Sequence, residues 1–310
     1  MLPTFVIGLR EGLEAALIVG IIATFLVQQR RRDALRWMWA GVAIAVALCA
    51  GVAVALRVAE QNLPQRQQEG LETIVAVLAV AMVTWMIVWM RQNARGLKHD
   101  LEGRAAAALA AGSVGTLVLM AFLAVLREGL ETAVFLLAAF QTSTDPATAG
   151  TGALLGVVVA IGLGVAIYKG GVRLNLERFF RLTGLVLVLV AAGLVASAAH
   201  TAHEAGWLNS AQGQVMNLTW LVDPGSVRSA LLTGMLGIMP RPVVAEVVVW
   251  VAYAVPMFAF VLWPARGRSR RRSRATAAAL TSAVVAIVTG LAGCGSGGGS
   301  ASGDAASPAV

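Results

Sequence analysis

Long apolar runs alternate with short polar connections along almost the whole chain. A membrane-spanning helix needs about 20 predominantly apolar residues. Seven stretches meet that requirement: residues 2–27, 37–56, 71–90, 109–140, 151–168, 182–199 and 243–262. An eighth apolar stretch, residues 275–292, follows a dense basic run at 266–274. The pattern predicts an all-α integral membrane protein of seven core transmembrane helices plus a C-terminal hydrophobic helix. Two of the runs are interrupted by charge in the same way. Leu9-Arg10-Glu11-Gly12-Leu13-Glu14 lies in the first, and Leu126-Arg127-Glu128-Gly129-Leu130-Glu131 lies in the fourth. A charged residue at the centre of a membrane helix costs roughly 2.5–3.5 kcal/mol on insertion scales. Such groups are tolerable only where they face one another, water or a bound ion.

The connections carry a topology signal. Basic clusters follow the first, third, fifth and seventh helices: Arg30 to Arg32 with Arg36; Arg91, Arg95, Lys98 and Arg104; Lys169, Arg173, Arg178 and Arg181; and Arg266 to Arg274. The exits of the even-numbered helices are poor in Lys and Arg, and residues 141–150 have neither. The positive-inside rule then puts the N-terminus outside and the basic clusters in the cytoplasm. The first helix runs inward and the fourth outward, so one motif occurs in two opposite orientations three helices apart. That is the mark of two inverted three-helix repeats, whose substrate site lies at the repeat interface near the midplane. A degenerate echo, Gln68-Glu69-Gly70-Leu71-Glu72, opens the third helix without the arginine.

Composition sharpens the class. The chain has 310 residues, 58% hydrophobic and only 13% charged, with a mean hydropathy of +0.78. Those values belong to polytopic membrane proteins. The formal net charge of +8 is distributed as topology signals, not as a nucleic-acid surface. The N-terminus lacks the basic start and small-residue cleavage site of a secretory signal, so the first run is read as a mature helix. Cys49 lies in a membrane run and Cys294 near the C-terminus, which argues against a disulfide. Three regions are expected: residues 1–264 as the transmembrane domain, 265–294 as a basic run with the eighth hydrophobic segment, and 295–310 as a disordered Gly/Ser-rich tail. Residues 270–294 also have the form of a bacterial lipoprotein signal: a basic start, an apolar middle and Leu291-Ala292-Gly293-Cys294. Cys294 is therefore a candidate for lipidation; the bland reading is a plain eighth helix.

The motif suggests its chemistry. Glu11 and Glu14 lie one turn apart on a single helix face, as do Glu128 and Glu131. Helices one and four packed together would offer four carboxylates, and Gly12 and Gly129 would permit close backbone approach. Oxygen-only ligands suit hard cations. Four Glu and two Arg leave a formal charge of −2, which a trivalent ion brings near zero. Arg10 and Arg127 cannot ligate a cation; they are supporting charges that orient carboxylates. The bland alternative is that the arginines neutralise the glutamates and lock the helices together.

The double Arg-Glu-Gly-Leu-Glu resembles the signature of the oxidase-dependent iron permease family, which comprises the fungal high-affinity iron permease and bacterial EfeU-type relatives. The resemblance covers roughly residues 1–264, with supporting matches at His203 to Trp207, Gly234 to Gly237 and Pro240 to Pro242. It implies iron import across a bacterial plasma (inner) membrane by a multi-pass transporter that is not an enzyme. It further implies that ferric ion, produced from ferrous ion by an extracytoplasmic oxidising or iron-binding partner, is the species handed over. Iron would be the transported substrate, with no organic cofactor. The family's ligand glutamates map onto Glu11, Glu14, Glu128 and Glu131.

Glu69, Glu72, His200, His203, Glu204 and Asp223 are candidates for an outer access funnel, against the bland reading of solvated helix ends. The spacing His200-x-x-His203-Glu204 does not match the metalloprotease pattern. Other readings stay open from sequence: a permease for lead or manganese, a membrane-embedded metal enzyme using His200, His203 and Glu204, or a non-transporting anchor.

Overall fold

The computed structural model describes residues 1–28, 30, 32–93, 103, 114–143, 145–169, 175–207 and 242–262. Among these, seven helices account for nearly everything: α1 (Leu2–Gln28), α2 (Arg32–Gln61), α3 (Gln65–Asn93), α4 (Val114–Gln141), α5 (Pro146–Tyr168), α6 (Leu176–Glu204) and α7 (Val244–Leu262). At 1.5 Å per residue, a helix of 27 residues is about 40 Å long, more than the roughly 30 Å hydrocarbon core. Five of them, α2, α3, α5, α6 and α7, are apolar enough to cross a membrane by length and composition alone. The other two, α1 and α4, are as long, but each carries the three charges of the motif.

Several helices run further than the apolar runs suggest. α2 continues to Gln61 and α6 spans Leu176–Glu204, because their polar ends are still helical. Glu60, which the sequence puts in a polar connection, is thus the buried last turn of α2. Local stop and start signals set the other ends. Asp145 caps α5 by accepting the Ala147 N–H, with Pro146 at the first helical position, where its missing donor costs nothing. Asn175 caps α6 by accepting the Arg178 N–H. Gly206, at φ 81°, turns the chain out of α6 in the left-handed conformation that glycine adopts without strain. The Trp207 ring then closes over Gly70, where a Cβ would come within 3.0 Å of it. The His-Glu-Ala-Gly-Trp stretch is therefore a helix stop that clips α6 onto the start of α3.

Apart from α6 and α7, helices adjacent in chain order are not the main packing partners. The extensive interfaces are α1 on α5, α2 on α4, α3 on α6, α6 on α7 and α1 on α4. One apolar core joins α3, α6, α7 and the C-terminal half of α4, around Val83, Phe135, Val188 and Tyr253. A second joins α1, α2 and the first half of α4, around Leu26, Met38 and Leu117. The motif residues of α1 and α4 lie between the two. Small residues let these helices approach closely. Gly8 and Gly12 of α1 meet Ala153 and Ala160 of α5, and Gly164 meets Ala16. On the other side Gly129 of α4 lies on Cys49 of α2, whose thiol donates to the Leu126 carbonyl at 3.5 Å.

Residues 263–310, including the eighth apolar stretch and Cys294, lie outside the described residues, as do Asp223 and Gly234 to Arg241.

Candidate metal site

The two charged hexapeptides come together because α1 and α4 pack directly on one another. Glu11, Glu128 and Glu131 each offer a carboxylate oxygen, and the three oxygens lie within 4.8 Å of one another. Glu11 and Glu128 are buried and Glu131 is half-buried. Glu14, one turn along from Glu11, stands outside this trio, with its Oε1 3.3 Å from Arg10 Nη2.

The two arginines have different surroundings. Arg10 is among the most buried side chains, 1% exposed. Its Nη1 donates to Glu11 Oε1 at 3.3 Å and to Met86 Sδ at 2.7 Å, and its guanidinium carbon lies 5.9 Å from the Phe180 ring centroid. Arg127 Nε lies 2.9 Å from Glu131 Oε1 and 3.9 Å from Glu128 Oε1, yet its side chain is 62% exposed.

Among the described residues, four buried side-chain polar atoms have no hydrogen-bond partner: Arg10 Nε, Glu11 Oε2, Glu14 Oε1 and Glu128 Oε2. Glu14 Oε1 is within ion-pair distance of Arg10 but off the hydrogen-bond axis. A buried acceptor without a donor costs about 1–3 kcal/mol, more if it is charged. Native proteins rarely leave such groups, and here all four fall in the motif region. Glu11 and Glu128 belong both to this set and to the converging trio, and clustered carboxylate oxygens are the donors a hard cation needs.

The outer access candidates gather at another place, where α2, α4 and α6 end and α3 and α7 begin. His200 Nδ1 lies 2.9 Å from Glu246 Oε1, and His200 Nε2 lies 3.4 Å from Glu204 Oε1. Glu69 sits against Glu204, and Glu72 against Glu60 and Gln68. Gln141 donates to Glu60 Oε1 at 3.2 Å, and Arg57 pairs with Glu60 Oε2 at 3.0 Å. Five helix ends thus bring Glu60, Glu69, Glu72, His200, Glu204 and Glu246 to one end of the bundle. Sequence reading missed Glu60 and Glu246. A lone Glu246 four residues into an apolar run was the available signal for one; Glu60 carried none beyond its proximity to Arg57. His203 is half-buried in the last turn of α6.

Comparisons with known proteins bear on the whole chain. No solved structure matches it. The ferrous iron permease EfeU of Escherichia coli O6:H1 (strain CFT073) is 44% identical over 272 residues, covering 87% of this chain and 98% of that protein. EfeU of Shigella sonnei is 43% identical over 272 residues, covering 87% of this chain and 98% of that protein. EfeU of Yersinia pestis is 42% identical over 271 residues, covering 87% and 96%. The pattern of the family described as "Iron permease FTR1 family" matches residues 1–276, which include both motifs, all seven described helices and the outer cluster. With that match over most of its length, the chain is a multi-pass transporter and not an enzyme, and it belongs to the iron permease FTR1 family.

Proposed function

We propose that this protein imports iron across the bacterial plasma membrane through a site lined by Glu11, Glu128 and Glu131, with Glu14 as a fourth carboxylate one helical turn away. The observation that carries this reading is the convergence of three carboxylate oxygens within 4.8 Å, from two long helices. The orphaned oxygens of Glu11 and Glu128 support it, because they are acceptors that a cation would satisfy. Iron fits a carboxylate cage as a hard ion, and among the described residues no His or Cys joins the trio. An inside-negative membrane potential would favour inward passage by about 2.3 kcal/mol per charge per 100 mV.

The architecture in this proposal is a pair of inverted three-helix repeats, α1 to α3 and α4 to α6, with α7 added. The packing supports it. Exchanging the halves turns the α1–α5 interface into α4–α2, and the α3–α4 interface into α6–α1; α3–α6 and α1–α4 map onto themselves. The contacts follow the same rule. Gly12 rests on Ala160 and its counterpart Gly129 rests on Cys49. Around those two, Gly41, Ala45, Cys49 and Ala53 of α2 have the spacing of Gly152, Gly156, Ala160 and Gly164 of α5.

With the N-terminus outside, the cluster of Glu60, Glu69, Glu72, His200, Glu204 and Glu246 faces the extracytoplasmic side and concentrates cations there. An extracytoplasmic protein that oxidises or presents iron would deliver its ion to that end. Lipidation at Cys294, on the same side, would tether the C-terminal tail at the outer surface.

The test is radio-iron uptake in cells that depend on this permease, paired with equilibrium iron binding by the purified protein. Glu128→Gln and Glu131→Gln keep the side-chain volume and remove the charge, and should lose both binding and uptake. Glu14→Gln should lose less. Wild-type uptake in both Glu128→Gln and Glu131→Gln would overturn the assignment, and accumulation of manganese or lead in place of iron would reassign the substrate.

A further inference from the structure

We propose that the two motif arginines, identical in sequence context, have different jobs: Arg10 is a fixed counter-ion, and Arg127 is a displaceable one that occupies the cation's place and withdraws when the cation arrives. This rests on the carboxylate site proposed above. Arg10 is enclosed by Glu11, Glu14, Met86 and Phe180, contacts drawn from three helices, and it cannot leave without opening the core. Among the described residues Arg127 forms its ion pairs on its own helix, with Glu131 at 2.9 Å and Glu128 at 3.9 Å, while Glu14 of α1 acts on it from further away. Glu128 and Glu131 both belong to the metal-competent trio, so a cation bound by the trio competes with Arg127 for the same oxygens.

Exposure points the same way. Side-chain exposure rises from 0% at Glu11 through 9% at Glu128 and 15% at Glu131 to 62% at Arg127. The trio is sealed on the Arg10 side and open on the Arg127 side. Arg127 shares its face of α4 with Leu119, Leu123 and Leu130, also exposed, so no core packing holds it. A long side chain of this kind keeps its charged head in polar surroundings while its stem lies on apolar surface.

The charges explain what the swing accomplishes. With both arginines in place, the four glutamates and two arginines sum to a formal −2. When Arg127 withdraws, the remaining five groups sum to −3. With the cation in the place Arg127 vacates, a divalent ion leaves the site at −1 and a trivalent ion brings it to zero. Arg127 thus sets both the affinity and the valence preference of the site, and its return helps to expel the ion.

The experiment uses the purified full-length protein in lipid nanodiscs, with radiolabelled Fe²⁺ kept reduced and Ga³⁺ supplied as citrate as a redox-inert trivalent probe. Arg127→Gln should bind Fe²⁺ about tenfold tighter than wild type, with a larger gain for Ga³⁺, while radio-iron uptake in cells slows. Arg127→Lys should fall between the two. Thermal unfolding of Arg127→Gln should match wild type, since the residue packs against little. Unchanged or weaker binding in Arg127→Gln would overturn the proposal, as would a marked loss of thermal stability, the sign of a purely structural lock. Glu128→Gln separates the two readings. If it binds Fe²⁺ as wild type does, the carboxylate site itself fails; if it loses binding while Arg127→Gln gains none, only the displaceable role fails.

Discussion

Replacing Gly12 by alanine adds one methyl group where α1 and α5 are already in contact. A Cβ there would lie 2.9 Å from the Ala160 Cβ and 3.6 Å from the Val157 Cα. Carbon atoms in contact prefer about 3.5–4.0 Å, so α1 and α5 must separate by about 1 Å. No rotamer change can relieve the clash, because an alanine Cβ is fixed to its backbone. Overpacking of this kind typically costs about 1–3 kcal/mol. The midpoint of thermal unfolding in detergent should fall by about 2–10 °C. Function should fall further than stability. Glu11 precedes Gly12 directly, and metal–oxygen bonds to hard divalent ions are only about 2.0–2.6 Å long, so a shift of about 1 Å takes Glu11 out of a shared coordination shell. Iron uptake should therefore drop sharply even where folded protein remains. Gly20→Ala is the control on the same helix, where an added Cβ meets nothing within 4 Å. It should be neutral or slightly stabilising, since alanine is the better helix former by about 1 kcal/mol. The double variant Gly12→Ala with Ala160→Gly moves the methyl to the other side of the contact and should restore uptake. Equal stability and uptake in Gly12→Ala and Gly20→Ala would refute the reasoning, and so would a double variant no better than the single.

The other half of the molecule supplies a matched prediction. Cys49 Sγ would lie 2.6 Å from a Cβ at Gly129, so Cys49→Ala, which reproduces the Ala160 contact, should leave stability and uptake unchanged, whereas Cys49→Leu should lower both. Arg10→Gln strips Glu11 Oε1 of its donor and leaves a buried acidic cluster unbalanced; breaking such a pair costs about 3–5 kcal/mol. Folded Arg10→Gln should be scarce on size-exclusion chromatography, with Arg10→Lys also impaired because a lysine cannot reach Glu11 and Glu14 together.

The parts of this protein that were legible in its sequence were the ones in which charge violates the apolar pattern. The seven helices, the alternating basic exits and the pair of charged hexapeptides all follow from where a bilayer tolerates polar groups. Packing partners were not legible. Apolar residues cover most faces of these helices, so nothing in residues 2–28 announces that α1 lies mainly on α5 and only slightly on α2. The small-residue spacing on α2 and α5 became readable only once Gly12 and Gly129 were seen to rest on equivalent positions. Glu60 was hidden for a related reason: next to Arg57 and Pro64 it reads as loop, whereas the helix carries it into a buried contact with Gln141. The arginines mark the limit of a motif as information. Six identical residues cannot encode two environments, so the difference must come from outside the motif. Arg10 is buried because Met86 of α3 and Phe180 of α6 close over it, in the core that α7 joins. Arg127 instead forms its ion pairs with Glu128 and Glu131 of its own helix and stays exposed. The two identical motifs are thus held unequally, and the transport site proposed above uses that inequality: two equally held counter-ions would give an arriving cation neither one to displace in preference.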